Sequence, residues 1–406
     1  MQCAKSELCI FDRPSQQVVI ERGSFEEIYP TNAFTGNGDI EFNINGSQYE
    51  YLDLRDTLLS LKVHVTADGK ENLKADSDVI PSNYLFHSLF SDVIVGLNST
   101  KVEGGNNNYG KKSLIETILN FNNDSKKTIL KPVGYYKNEE EAKKMIALSE
   151  SFTLCSTLQL DIFEQPQYLI PGINVHVRCI RAPAKLTLKS KNSKPSIDIL
   201  EAKLFVRRVK VDQSVTLGHQ IGLSKQNAIY PIKSKEVVSF TMSTGSSSFY
   251  KEQLFGDRRL PNFILVTFQS ADSYLGTFST SSSEFEHFNL TSLTLSKNTD
   301  YREKYTQDFQ SNNYTTSYVQ SLIRNLGYLD KNMNCGITLE EFKTKYPFFT
   351  FVLAPDFDLN QSQLPQQGNL KLDIKFATPL VESAYVIIYG VFENEIQVTS
   401  NHTILL

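Results

Sequence analysis

The residues best spaced for chemistry lie in one segment, DKNMNCGITLEE at 330–341. It sets Asp330, Asn332, Asn334 and Glu341 at the first, third, fifth and twelfth positions of a calcium-binding loop, with Ile337 at the eighth. Hard oxygen donors at that spacing could wrap a divalent cation. The sixth position, however, needs glycine for its sharp turn and holds Cys335, with Gly336 one residue late. Such loops usually work in pairs, and no second one follows. The segment therefore reads as a polar connection, with calcium binding as the alternative.

Other constellations are thinner. The histidines at 64, 87, 176, 219, 287 and 402 stand singly, without the HxH, HxxxH or HExxH spacing of a zinc site. His64 and His176 fall on the polar face of strand patterns, where solvation is expected. Serine, aspartate and histidine are all present, but nothing resembles a nucleophile elbow or a strand-turn-helix phosphate loop. Gly104 and Gly105, followed by three asparagines, read as a turn. Cys3, Cys9, Cys155, Cys179 and Cys335 are odd in number and lack CxxC spacing, so free thiols of a reducing compartment are expected. No catalytic residue or cofactor is expected, and the chain does not read as an enzyme.

One basic cluster remains. Lys185, Lys189, Lys191 and Lys194 surround a hairpin near Asn192, with Arg207, Arg208 and Lys210 on the strand beyond. It is either a salt-sensitive face toward nucleic acid or a solvated hairpin, and the second is the expectation. A net charge of -4 with 21% charged residues gives no sign of a polyanion-binding chain. The opening MQCAKSELCIFDR has no apolar run long enough for a signal peptide, and no window approaches a membrane span.

The elements that would position these residues are mostly strands. Leu59, Leu61, Val63 and Val65 alternate with polar residues, as do Ile173, Val175, Val177 and Cys179, and later Leu370, Leu372, Ile374 and Phe376. The runs 263–268 and 384–391 are apolar throughout, consistent with burial on both faces. Helices are few: one over 139–148, and two that echo each other. Asn107-Asn108-Tyr109 opens a stripe of Leu114, Ile118 and Phe121. Half a chain later Asn312-Asn313-Tyr314 opens Val319, Ile323 and Leu326. Each lies after a strand pattern, so the chain reads as two copies of one all-β domain. At 406 residues it is long enough for both to bury a core without disulfides or metals.

Several stretches resemble the major capsid proteins of Polinton (Maverick) elements and adintovirus-type viruses, of the double jelly-roll lineage. They are YLDLRDT at 51–57, SNYLFHSLF at 82–90, VIVGLN at 93–98, the Tyr109 helix, LDIF at 160–163, PGI at 171–173, FA at 376–377 and YGVFEN at 389–394. The resemblance runs from about residue 25 to the C-terminus and rests on their order, not on any one motif. It implies two tandem eight-stranded jelly-roll sandwiches with a short helix in an equivalent connection of each. The expected division is an N-terminal arm over 1–40, a first jelly roll over 41–212, a hinge over 213–228, a second jelly roll over 229–397 and a tail over 398–406. The resemblance further implies a homotrimer of pseudo-hexagonal outline that meets neighbouring trimers and a minor capsid or penton protein. The shell would enclose a DNA genome and assemble in a host cytoplasm or nucleus, with no specific nucleic-acid site and no membrane span. A tandem carbohydrate-binding, lectin-like module shares the fold class and is the alternative.

Overall fold

The alternating segments become antiparallel strands whose apolar faces meet in two sandwiches. The computed structural model describes residues 16–32, 36, 38–68, 71–74, 77–256, 259–298, 301–329, 331–359 and 361–406. In the first half the sandwich strands are β1 (Ile20–Ile28), β2 (Ile40–Ile44), β3 (Glu50–Thr66), β4 (Phe90–Leu97), β5 (Thr100–Glu103), β6 (Phe152–Thr157), β7 (Val175–Arg181) and β8 (Ser196–Val211). In the second they are β9 (Ala228–Met242), β10 (Ser248–Lys251), β11 (Phe263–Ser270), β12 (Leu290–Lys297), β13 (Tyr301–Thr306), β14 (Phe349–Val352), β15 (Leu370–Phe376) and β16 (Ala384–Val398).

Sheet order shows the duplication directly. The first half pairs β1-β8-β3-β6 in one sheet and β2-β7-β4-β5 in the other. The second pairs β9-β16-β11-β14 and β10-β15-β12-β13, the same orders eight strands later. Two four-stranded antiparallel sheets in this crossed order make a jelly roll, and the chain carries two. The helix α1 (Tyr109–Asn120) lies between β5 and β6, and its counterpart beginning at Thr315 lies between β13 and β14. Both occupy the same connection.

Register follows the apolar alternation. On β3, Leu59, Leu61, Val63 and Val65 are fully buried and stand opposite Leu204, Ala202, Ile199 and Ile197 of β8. Each pair faces the core because side chains on a strand alternate between faces. β11 is buried along its whole length, as its unbroken apolar run predicts. One contiguous apolar cluster runs through both halves.

Three segments outside the expected sandwiches carry structure of their own. Residues 20–28, placed in the arm, form edge strand β1 on β8. The expected hinge contains a helix, α2 (Gln213–Leu223). The tail turns back: Ile404–Leu405 pairs with β16, and Asn98 of the first half donates to the His402 carbonyl at 2.8 Å. The third helix candidate forms over Glu139–Met145, with the Asn138 side chain accepting from the Glu141 amide.

Candidate functional site

The calcium-like loop is tied into the fold by its own atoms. Asp330 lies outside the described residues. Asn332 is exposed, and the Asn334 side chain accepts from the Gly336 amide at 2.7 Å. The Glu341 carboxylate accepts from the Thr338 amide at 3.0 Å and the Thr338 hydroxyl at 3.1 Å. Together they close a capping box on helix Leu339–Thr344. Gly336 takes a φ of 71° and packs against Asn123 of the first half, while Lys126 donates to the Cys335 carbonyl at 3.1 Å. The segment is a joint between the two halves.

The histidines stay apart and settle into local roles. His87 is buried against the Tyr109 hydroxyl at 3.1 Å, and burial pushes its pKa down to about 3. His219 meets the Tyr51 hydroxyl at 2.7 Å, and His287 stacks on Phe309. His176 is partly solvated near Glu41, whereas His64 keeps a buried, unpartnered Nδ1. Among the described residues no group of three His, Cys, Asp or Glu side chains is placed to hold a metal ion.

Within the basic cluster the strand residues are paired, while Lys185, Lys191 and Lys194 of the hairpin are exposed. Arg207 pairs with Asp53 and Asp56 at 2.9 and 2.8 Å, Lys210 with Glu21 at 2.8 Å, and Arg208 with Glu26. Lys189 sits 3.5 Å from Glu284 of the second half. These contacts fasten β1 and β3 to β8 and one sandwich to the other. They leave no continuous basic stripe on β8.

The most concentrated chemistry lies where sequence reasoning did not look, in the seam between the halves. Helix α1 is buried over most of its length. Its Lys112 ammonium contacts Glu103 of β5 at 2.6 Å and Asp161 of the short helix Asp161–Glu164 at 2.7 Å. Asp161 accepts from the Lys235 amide of β9 at 3.0 Å, and the Lys235 ammonium lies 3.3 Å from Glu116 of α1 and also pairs with Glu164. The Tyr389 hydroxyl of β16 donates to Glu116 at 3.2 Å. Burial alone would depress Lys112, but Glu103 and Asp161 more than offset it and hold its pKa well above the ordinary lysine value. The signal in the sequence was Lys112 and Glu116 four residues apart, on a helix otherwise apolar enough to be buried.

Beside the seam, α2 overhangs an open groove of about 1010 Å³ lined by Tyr49, Tyr168, His219, Ile229 and Tyr230. The helix buries none of its residues, and Leu217 and Ile221 are more than half exposed.

No family model matches the chain. A Caenorhabditis elegans protein of uncharacterised function is 24% identical over 408 residues, covering 94% of this chain and 96% of its own length. Among solved structures, the Sputnik virophage particle seen by cryo-EM contains a chain similar with a TM-score of 0.64 at 12% identity. The match spans 100% of this chain and 92% of that one. The mavirus major capsid protein is similar with a TM-score of 0.56 at 12% identity, over 100% and 95% of the two chains. The Faustovirus major capsid protein gives 0.60 at 7% identity, over 96% and 92%. At such identities the likeness is one of fold, and the fold is the double jelly roll that these viral capsid proteins share.

Proposed function

We propose that this chain is the major capsid protein of a virus or virus-like transposable element, a structural subunit and not an enzyme. The observation that carries the reading is the end-to-end match of both sandwiches to viral major capsid proteins, with almost nothing left over on either side. Three chains of two sandwiches each give six, so a homotrimer makes a pseudo-hexagonal tile, and tiles meeting edge to edge close an icosahedral shell around DNA. Interfaces of this obligate kind bury roughly 2,000–5,000 Å² and are relatively apolar. The exposed apolar residues on α2 and around its groove suit such a role. A minor capsid protein at the vertices would complete the particle.

A Polinton or adintovirus-type origin is supported by the ordered motifs of the sequence. The deciding experiment is size-exclusion chromatography with light scattering on the expressed chain, followed by negative-stain imaging. A stable trimer or closed shells are expected. A strict monomer that binds glycans would overturn the proposal in favour of the lectin-like alternative.

A further inference from the structure

Glu116 is 2% exposed, at the centre of the seam. Its Oε1 takes the Tyr389 hydroxyl and faces the Lys235 ammonium, while its Oε2 is buried without a hydrogen-bond partner. An ionised oxygen in that position loses its hydration and gains nothing in return, whereas a neutral carboxyl loses far less.

The charges around it come from α1 itself, from β5, from the short helix 161–164, from β9 and from β16. Lys112 lies one turn back on α1 itself, Lys235 reaches in from β9 and Tyr389 from β16. Asp161 and Glu164 come from the short helix at 161–164, and Glu103 of β5 stands behind Lys112. Four carboxylates thus share two ammonium groups, and three of the four are largely buried while Glu164 is 44% exposed, so full ionisation would leave uncompensated negative charge in the joint. Like charges confined together favour holding a proton. A cleft of about 200 Å³, lined by Asp161, Glu164, Lys233 and Glu393, reaches the edge of the cluster and gives water a way to exchange that proton.

We propose that Glu116 is a proton-binding site that sets how tightly the two sandwiches are clamped, closed when its carboxyl is neutral and loosened when it ionises. Burial pushes both Glu116 and Glu103 up to about 7. A carboxyl raised in the docked state binds its proton more tightly there than in the open state. The clamp is therefore complete below the ordinary glutamate value and is lost as pH rises through about 7. Neutral pH is the working range of the device.

Hydrogen exchange of the full chain, read by mass spectrometry at pH 5.5 and 8 and corrected for intrinsic rates, tests this. Peptides covering 109–120 and 228–242 should lose more than about tenfold protection at the higher pH, since each pKa unit is a factor of ten. Glu116→Gln, which keeps the shape and cannot ionise, should lose clearly less protection between the two values than the wild type, the remainder coming from Glu103. A Glu116→Gln chain that loosens as the wild type does would overturn the proposal. Should that variant fail to fold, Lys235→Met removes the cation that favours ionised Glu116, and the loosening should move to higher pH. A midpoint left in place would refute the assignment equally.

Discussion

Gly336 shows how a calcium-like spacing came to serve as a joint. Its φ of 71° is one that a residue with a Cβ rarely adopts, and a Cβ there would sit 2.7 Å from the Asn123 side-chain oxygen. The glycine one residue late for a metal loop is on time for this turn. Glu341, which would be the bidentate ligand of the loop, instead spends its carboxylate on the Thr338 cap. Gly336→Ala should therefore cost about 1–3 kcal/mol by urea denaturation, from backbone strain and the displaced Asn123. Millimolar calcium should leave the melting temperature unchanged, because a cation bound by the native state alone would raise it in proportion to its occupancy. A clear rise on adding calcium would restore the metal reading. His87 makes a separate prediction at this scale. Its folded pKa is depressed to about 3 because the ring is buried, so folding requires the neutral form. Stability should fall as pH drops below the unfolded value of about 6.5 and continue to fall toward pH 3. His87→Gln should flatten that limb in a series of thermal melts, and an unaltered limb would assign it to other groups.

At the level of elements, legibility followed burial. β3, β7 and β15 each bury one face, so alternation of Leu, Val and Ile announced them. β1 announced nothing, because its side chains are exposed along nearly its whole length and carry no apolar period. It is held by ladder hydrogen bonds and by the ion pairs of Glu21 and Glu26 with Lys210 and Arg208, partners too far away in sequence to read. Exposed pairs are individually worth about 0–1 kcal/mol and are screened by salt. Arg208→Glu with Lys210→Glu should thus open residues 20–28 to limited proteolysis while the rest of the chain stays resistant. An unchanged digestion pattern would show that the ladder alone suffices. The second helix misled for another reason. Its stripe was expected on Val319, Ile323 and Leu326, yet Ser317, Ser321, Leu322 and Asn325 are the buried residues. After one α-turn at Thr315–Tyr318 the helix widens to a π-turn over Val319–Arg324, which rotates the face. The Thr350 hydroxyl donates to the Ser321 carbonyl, and Asn325 donates to the Thr350 carbonyl at 2.6 Å, fixing the widened turn to β14. Thr350→Val leaves the buried Ser321 carbonyl short of a donor and should cost about 1–3 kcal/mol in denaturant unfolding. The seam was illegible for the same reason as β1: Tyr389 and Glu116 meet across most of the chain.

At the level of the whole molecule, the two sandwiches differ in how fully their connecting parts are covered. The seam is packed, and the polar groups inside it are mostly paired. α2 is the contrary case. Its N-terminus is properly capped, the Asp212 side chain accepting from the Ser214 amide at 2.9 Å, so the helix is formed and not frayed. Yet none of its side chains is buried, and Leu217 and Ile221 stand 56% and 51% exposed beside a groove whose rim includes the exposed Tyr49 and Ile229. Well-formed apolar surface of this kind marks a contact to be made with another molecule. On the proposed capsid reading that molecule is first of all a second copy of the chain. Leu217→Asp with Ile221→Asp changes only solvated side chains and should leave the melting point of the isolated protomer nearly unaltered, since exposed substitutions usually stay within about 0.5 kcal/mol. The same pair of charges buried in a contact would go unpaired and should shift the chain toward monomer in light scattering. Equal loss of folding and association would make α2 part of the core, and undiminished assembly would move the contact elsewhere. Separation of the two effects is what an interface helix requires.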